Sequence, residues 1–401
     1  MHKSSEIRDF IEQNRHRRVE ELALVLAKRS EEERTFILRQ IEGWQRLREK
    51  VPAWTQQPDL IYPPRLALEQ CSGEAAARYK AEVIRRLFAQ ETAVSSEKST
   101  TMTDLTGGMG VDFFFIAPLF SHVTYVERRP ELVATARHNF PLLGLPDAVC
   151  VEGDGMAHLQ TMESVDLLFL DPARRDVAGR KTVLLEDCEP NVLALLPQLL
   201  SRCRILMLKL STMLDLRQAI DQLGCVAEAH VFAAGGECKD LLLVCRADHA
   251  GETTLYCANE YDHFAFTASD EAATPCPMAE SIEGFLYEPD AAVMKAGAYR
   301  TIAARFGLKK LHPNTHLYIS EEVREGFPGR VFKIVRILGF SKKELREVAA
   351  LGKANLAVRN FPATVAELRK KLKLREGGKD YLFACTTRGE EKTLVCCEKV
   401  F

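Results

Sequence analysis

No stretch of this sequence reaches the run of about 18 apolar residues that a membrane-crossing helix needs. The opening residues, Met-His-Lys-Ser-Ser-Glu-Ile-Arg-Asp, hold no apolar core of the kind a secretory signal carries. A cytoplasmic protein is therefore expected. Charge of one sign is also missing: the net value is −2, so nothing global marks a nucleic-acid binder. There are 12 cysteines but no C-x-x-C pair, and the only close neighbours are the adjacent Cys396 and Cys397. That scatter argues against a zinc site and a disulfide framework. It predicts buried, reduced thiols and no bound metal. What is present, 46% hydrophobic residues in 401, fits two or three globular domains.

A complete dinucleotide fingerprint is absent too. Residues 103–112 read Thr-Asp-Leu-Thr-Gly-Gly-Met-Gly-Val-Asp. G-x-G-x-x-G would need a third glycine where Phe113 stands. The stretch still predicts a strand ending at Asp104–Leu105, a turn at Gly107, Gly108 and Gly110, and a helix from about Val111. Glycine lets backbone approach a ligand closely, and a helix start offers unpaired N–H groups. A nucleotide-like ligand and a purely structural tight turn both fit that pattern.

Further strands follow, with acids at their ends. Val123–Glu127 and Ala148–Asp154 each read as a strand closing on a carboxylate. Val165–Asp171 is an apolar run ending in the tip Asp171-Pro-Ala-Arg174. Ile205–Ser211 is a fifth strand, and Cys225–Phe232 with Asp240–Arg246 a closing hairpin around Gly235-Gly236. Continuous apolar runs are what buried parallel strands look like. Ligands in such sheets bind at the carboxyl ends of strands, where Asp104, Glu127, Asp154 and Asp171 fall. The helix over Val133–Asn139 is expected to end at Pro141 and Gly144, and His138 near its end reads as packing.

The flanks differ from this middle. Residues 1–92 read as helices. Val19, Leu22, Ala23, Val25 and Leu26 recur at helical spacing, Ser30-Glu-Glu-Glu33 forms a capping box, and Gly73–Ala89 gives a further helix with Ala77, Ala81, Ile84, Leu87 and Phe88 inward. Residues 249–308 hold nine acids against three basic residues, and include a strand at Thr253–Cys257 and a helix over Ala291–Phe306. Residues 309–375 reverse this, with 16 Lys/Arg against six Asp/Glu. Beyond Arg330 a strand, a helix opened by the Ser341–Glu344 capping box, a short strand, a helix opened by Thr364–Glu367 and a hairpin across Arg388-Gly389-Glu390 make a βαβαββ module. Its basic excess suits a phosphate backbone, or a solvated lysine-rich face.

The pattern Asp104-x-x-x-Gly108-x-Gly110, with acids after the next strands, resembles class I S-adenosylmethionine (SAM) methyltransferases over roughly residues 95–248. Tyr287-Glu-Pro-Asp290, Lys353-Ala-Asn355 and Arg359-Asn-Phe-Pro362 resemble the THUMP-like domain that follows such an enzyme in a bacterial family. The segments Glu69–Ser72 and Tyr79-Lys80 also resemble that family, either as substrate contacts or as ordinary helix packing. The likeness implies an α/β fold: a seven-stranded Rossmann-like sheet, an N-terminal helical region and a C-terminal α+β module. Expected bounds are 1–92 for the helices, 93–248 for the methyltransferase domain, 249–324 for an acidic linker or small α+β, ferredoxin-like domain and 325–401 for the THUMP-like domain. SAM is the implied cofactor, with contacts from Asp104, Thr106, Gly107, Gly108, Gly110, Asp112, Glu127, Asp154, Met156 and Asp171. In the family resembled, Glu127 meets the ribose hydroxyls and Asp154 the adenine amino group. Asp171, Pro172, Arg174 and Lys209 are the implied catalytic set.

The likeness further implies a structured RNA substrate such as tRNA or rRNA. Asp171-Pro172 keeps half of the Asp-Pro-Pro-aromatic tip of amino-group methyltransferases, so ribose or another base atom stays open as the acceptor. Arg174 and Arg175 could hold phosphate or stack on a base. The alternatives are a methyltransferase of a protein or small molecule, and a non-catalytic RNA-binding protein.

Overall fold

The structure, a computed structural model, describes residues 5–92, 100–173 and 184–400. The chain divides into two compact units: Met1–Ala229 with Asp240–Gly251, and His230–Lys239 with Glu252–Phe401. Among the described residues no helix is long and apolar enough to cross a membrane.

The first unit opens with helices α1 (Ser5–Asn14), α2 (Val19–Val25), α3 (Glu31–Lys50), α4 (Pro52–Thr55), α5 (Arg65–Gln70) and α6 (Glu74–Thr92). Leu22 and Leu26 are buried against Ile37 and Ile41, whereas Val25 is 55% exposed. The expected helix over 19–28 tightens into a 3₁₀ turn at Leu26–Lys28, and Val25, the last residue of α2, faces outward. Only half of the capping box at Ser30 forms: its hydroxyl accepts from Glu33 N, while the Glu33 carboxylate faces Arg29 at 3.6 Å.

Seven strands follow: β1 (Thr101–Asp104), β2 (His122–Glu127), β3 (Val149–Glu152), β4 (Val165–Leu170), β5 (Cys203–Leu210), β6 (Val226–Ala234) and β7 (Glu237–Cys245). The helices between them are α7 (Val111–Ile116), α8 (Pro130–Leu142), α9 (Gly155–Thr161), α10 (Val192–Ser201) and α11 (Leu216–Leu223). The strands stand in the order β3-β2-β1-β4-β5-β7-β6, parallel through β5, with β7 antiparallel to β5. The chain runs outward from β1 to β3, then returns to β4 on the far side of β1. That reversal opens a crevice at the carboxyl ends of β1 and β4.

Leu167 to Leu170 and Ile205 to Leu208 are no more than 1% exposed, as their apolar runs require. Two boundaries differ from expectation. Strand β3 stops at Glu152, because Asp154 turns to cap α9. Helix α8 carries Pro141 inside its last turn and ends at Leu142. His138 hydrogen-bonds the Asp59 carbonyl through Nε2 at 2.9 Å.

The second unit holds the hairpin β8 (Thr254–Ala258) and β9 (His263–Phe266), then α12 (Ala268–Ala273), β10 (Phe285–Pro289), α13 (Ala291–Ala296) and α14 (Tyr299–Phe306). The single helix expected over 291–306 is split because Gly297, at φ +79°, closes α13. There follow β11 (Lys309–His312), β12 (Thr315–Ser320), β13 (Gly329–Leu338), α15 (Lys342–Ala349), β14 (Asn355–Arg359), α16 (Val365–Leu372), β15 (Asp380–Thr386) and β16 (Lys392–Lys399). The run β13-α15-β14-α16-β15-β16 is the expected βαβαββ, and both of its capping boxes form. Its strands join β10 to β12 in one sheet, ordered β11-β12-β10-β13-β16-β15-β14. The expected bound between residues 324 and 325 therefore falls within one continuous sheet.

Candidate active site

The glycine turn after β1 is braced from beneath by three aromatic rings. Phe113, Tyr125 and Phe140 pack with centroids 5.1 to 5.6 Å apart. A Cβ at Gly107 would lie 2.2 Å from the Tyr125 ring, and one at Gly110 2.8 Å from Phe140. Tyr125 donates its hydroxyl to the Gly108 carbonyl at 2.6 Å. Gly108 differs from its two neighbours: at φ +57° a Cβ there would meet nothing closer than 3.6 Å. Of the three glycines, the two that face the rings serve packing, and Gly108 offers bare backbone to open space.

Beside this turn stands Glu127 at the end of β2, 6% exposed. Its Oε2 accepts from Gly108 N at 2.8 Å, and its Oε1 accepts from Arg129 N at 2.9 Å and Arg129 Nε at 3.1 Å. A carboxylate offers about four lone-pair sites, so Oε2 keeps room for one further donor. Asp154 lies beyond β3 and is exposed. Its Oδ1 accepts from Met156 N and Ala157 N at 2.9 and 3.0 Å. Gly155, whose Cβ would fall 2.1 Å from the Leu105 carbonyl, brings the start of α9 against the strand before the turn.

At the β1–β4 crevice, Asp104 and Asp171 are joined through Thr106. Asp104 Oδ1 accepts from Thr106 N at 2.8 Å and from its hydroxyl at 3.3 Å. The same hydroxyl accepts from Asp171 N at 2.7 Å. Burial pushes Asp104 up to about 8, with Asp112 and Asp171 adding repulsion against the pull of Thr106 N–H. At neutral pH its carboxyl is therefore protonated.

Behind Asp171 lies an ionic network. Asp112, in the first turn of α7, is its centre. Lys80 Nζ from α6 stands 3.0 Å from Oδ1, and Lys209 Nζ from β5 stands 3.3 Å from Oδ2. Ser72 Oγ also donates to Oδ2, at 2.7 Å. Burial works to raise the Asp112 carboxyl, but Lys80 and then Lys209 overcome it and hold the group well below the usual range. Lys80, 1% exposed, also donates to Asp240 at the start of β7, to Ser72 Oγ and to the Ala76 carbonyl. Lys209 donates to Asp171 Oδ2 at 2.6 Å. Burial works to lower Lys209, yet Asp171, Asp112 and Asp240 together raise it well above the ordinary lysine value.

Asp112, read from sequence as a cofactor contact, is held on Oδ2 by Ser72 and Lys209, while its buried Oδ1 lies 3.0 Å from Lys80 Nζ with no hydrogen-bond partner among the described residues. Pro172 is buried behind Asp171, while Arg174, Arg175 and Asp176 lie outside the described residues. Lys80 and Asp240 were not among the residues picked out as catalytic. Two signals were present for Lys80: Tyr79-Lys80 resembles the family, and Lys80 falls on the stripe of Ala77, Ala81 and Ile84, where a helix face turns inward. Asp240 gave no signal beyond opening the apolar run Leu241–Cys245. Among the described residues no group of three or more His, Cys, Asp or Glu is placed to hold a metal.

Comparison with known proteins bears on this site. Residues 285–328 match a family described as a ferredoxin-like domain, and residues 329–399 one described as THUMP domain-like. An uncharacterized SAM-dependent methyltransferase of Mycobacterium tuberculosis is 27% identical over 312 residues, which is 77% of this chain and 80% of its own. A crystal structure of a methyltransferase from Porphyromonas gingivalis W83, named without a substrate, superposes at TM-score 0.84 with 33% identity over 100% of both chains. The chain belongs to this THUMP-like methyltransferase family. It is a SAM-dependent methyltransferase with a class I fold.

The residues of the methyltransferase fit that cofactor. Gly108 provides bare backbone with φ above zero, and a Cβ there would meet nothing closer than the Thr106 carbonyl at 3.6 Å. Glu127 keeps an acceptor position on Oε2 for a hydroxyl, and Asp154 Oδ2 has no partner among the described residues. These features match a ribose and an adenine amino group in chemistry, and they follow consecutive strands of one sheet edge.

Proposed function

We propose that the methyltransferase acts on structured RNA, tRNA or rRNA, gripped by its THUMP-like domain in the cytoplasm. The observation that carries this is the exposed basic surface of that domain. Lys342, Lys343 and Arg346 are exposed on α15, and Lys370, Lys371, Lys373 and Arg375 are exposed on and just after α16. Not every basic residue of the region contributes. Lys310 is buried, and Arg330 and Arg359 are drawn onto the buried Glu288. The remaining excess still suits phosphates.

Bound SAM supplies an electrophilic methyl group on a sulfonium sulfur. In this reading Gly108, Glu127, Asp154 and Met156 hold it. Glu127 takes one ribose hydroxyl on Oε2, and a second only if an Arg129 donor gives way. Asp171, with Pro172 stiffening the chain behind it, faces the acceptor.

Binding of tRNA and rRNA fragments across a salt series tests the proposal. Affinity should fall steeply with salt, and Lys370→Glu with Lys371→Glu should flatten the logarithmic slope by about 1 to 2. Salt-insensitive binding, or none, would sink the RNA reading. Calorimetry tests the pocket: Glu127→Ala should weaken SAM by about 10- to 100-fold, the loss of a hydrogen bond to a charged group.

A further inference from the structure

Resting on the RNA reading, we infer that the methyl acceptor is a hydroxyl, in RNA the ribose 2′-hydroxyl, received by Asp171 Oδ1 and Lys209 Nζ together. The argument starts from unfilled valences. An ammonium has three protons. Lys80 spends its three protons on Asp240, Ser72 and the Ala76 carbonyl. Lys209 directs one to Asp171 Oδ2 and one to Asp112 Oδ2, and no acceptor for the third stands among the described residues. Asp171 accepts Lys209 on Oδ2, while its Oδ1 has no partner among the described residues and its side chain is 34% exposed. The crevice thus presents one strong acceptor beside one cationic donor.

That pair is complementary to a hydroxyl. A hydroxyl has one proton to give and two lone pairs. It can donate to Asp171, accept from Lys209 and still attack with the remaining pair. An amine has one lone pair, which attack consumes, so a neighbouring ammonium has nothing to bond and repels the positive nitrogen that forms. A hydroxyl moves the opposite way, toward an alkoxide that a fixed cation stabilises. Methylation of it forms an O–CH₃ bond and breaks the donor's S–CH₃ bond, whose electron pair stays on sulfur. The hydroxyl proton passes to the Asp171 carboxylate and then to solvent. Arg174 stands where the Asp-Pro-Pro-aromatic tip would carry its ring, so no aromatic ring is offered there to a base, which agrees with a sugar acceptor. In RNA the hydroxyl that separates it from DNA is the 2′-OH.

Asp112, Lys80 and Asp240 are positioning residues in this scheme. The charged groups around Asp171 are Lys209 from β5 and Asp112 from α7, and the titratable Asp104 from β1 stands beside them. Lys80 holds Asp112, which in turn steadies Lys209.

The decisive experiment methylates total RNA, taken from a strain lacking this gene, with full-length protein and methyl-labelled SAM, then digests it in alkali. A 2′-O-methyl blocks cleavage at its own nucleotide, so label should emerge in dinucleotides. Label in mononucleotides would overturn the hydroxyl acceptor and leave the RNA reading intact. Label in no RNA would overturn both. Lys209→Met and Asp171→Asn should each cut transfer about 100-fold or more while SAM binding shifts only a few-fold. Lys80→Met, at a positioning residue, should lower kcat several-fold and leave the KM for SAM little changed, and a change in KM alone would overturn that role.

Discussion

The two units each bury a carboxylate between two cations, and they finish the arrangement differently. In the second unit Glu288, 4% exposed, is closed on every side. Arg330 donates through Nε and Nη2 to Oε2, and Arg359 through Nη2 to Oε1 at 2.6 Å. This clamp ties β10 to β13 and β14 and leaves neither carboxylate oxygen without a partner. In the first unit Asp112 is held between Lys80 and Lys209, but that chain of charges ends on a carboxylate oxygen and an ammonium proton without partners among the described residues. Buried charge is costly in either place. A saturated cluster returns that cost as rigidity, whereas one with a valence left over can engage something from outside.

Breaking the open cluster should produce the largest effect. Asp112→Ala leaves two buried ammoniums without their shared carboxylate and should cost about 3–5 kcal/mol of stability, read by urea unfolding. Where it folds, methyl transfer should fall with it. Next, Glu288→Gln should cost about 1.5–3 kcal/mol by the same measurement and leave the transfer rate per folded molecule unchanged. A matching drop in rate would show that the closed clamp also serves chemistry, which would erase the contrast.

The glycine turn sharpens the comparison between packing and function within a few residues. Gly107→Ala drives a methyl into the Tyr125 ring and should cost about 1–3 kcal/mol in thermal or urea unfolding. Gly108→Ala meets no such wall, carries only the backbone penalty of about 1–2 kcal/mol for φ +57°, and should instead show itself as weaker SAM binding by calorimetry.

The last effect is one of slope. Asp104 sits at about 8 when folded against an ordinary 3.8. Between those values the folded state keeps a proton that the unfolded chain has lost. Its contribution is thus complete below about pH 4 and drains away as pH rises toward 8. Asp104→Asn should flatten the fall in stability across that window, seen in unfolding curves measured at several pH values.

Much of this was readable from residues alone, for identifiable reasons. Parallel strands buried on both faces must be apolar along their length, so β4 and β5 announced themselves, and acids at their tips stood out. Capping boxes are local, and those at Ser341 and Thr364 formed because Glu344 and Glu367 had no stronger partner nearby. The box at Ser30 was half lost to Arg29. The pairing of Lys80 with Asp240 spans 160 residues, and no local pattern encodes it. The roles of Gly107 and Gly110 were hidden similarly: they answer to rings from β2 and α8 that only the folded sheet brings beneath them.

The shared sheet of the second unit has a practical consequence for modularity. Strand β13 pairs with β10 on one side and β16 on the other. A cut near residue 329, where the two family matches meet, would strip both β10 and β13 of a neighbour and leave raw edges prone to aggregation. A graft of the THUMP-like portion onto another enzyme should carry the chain from Phe285 onward, so that β13 keeps both of its neighbours.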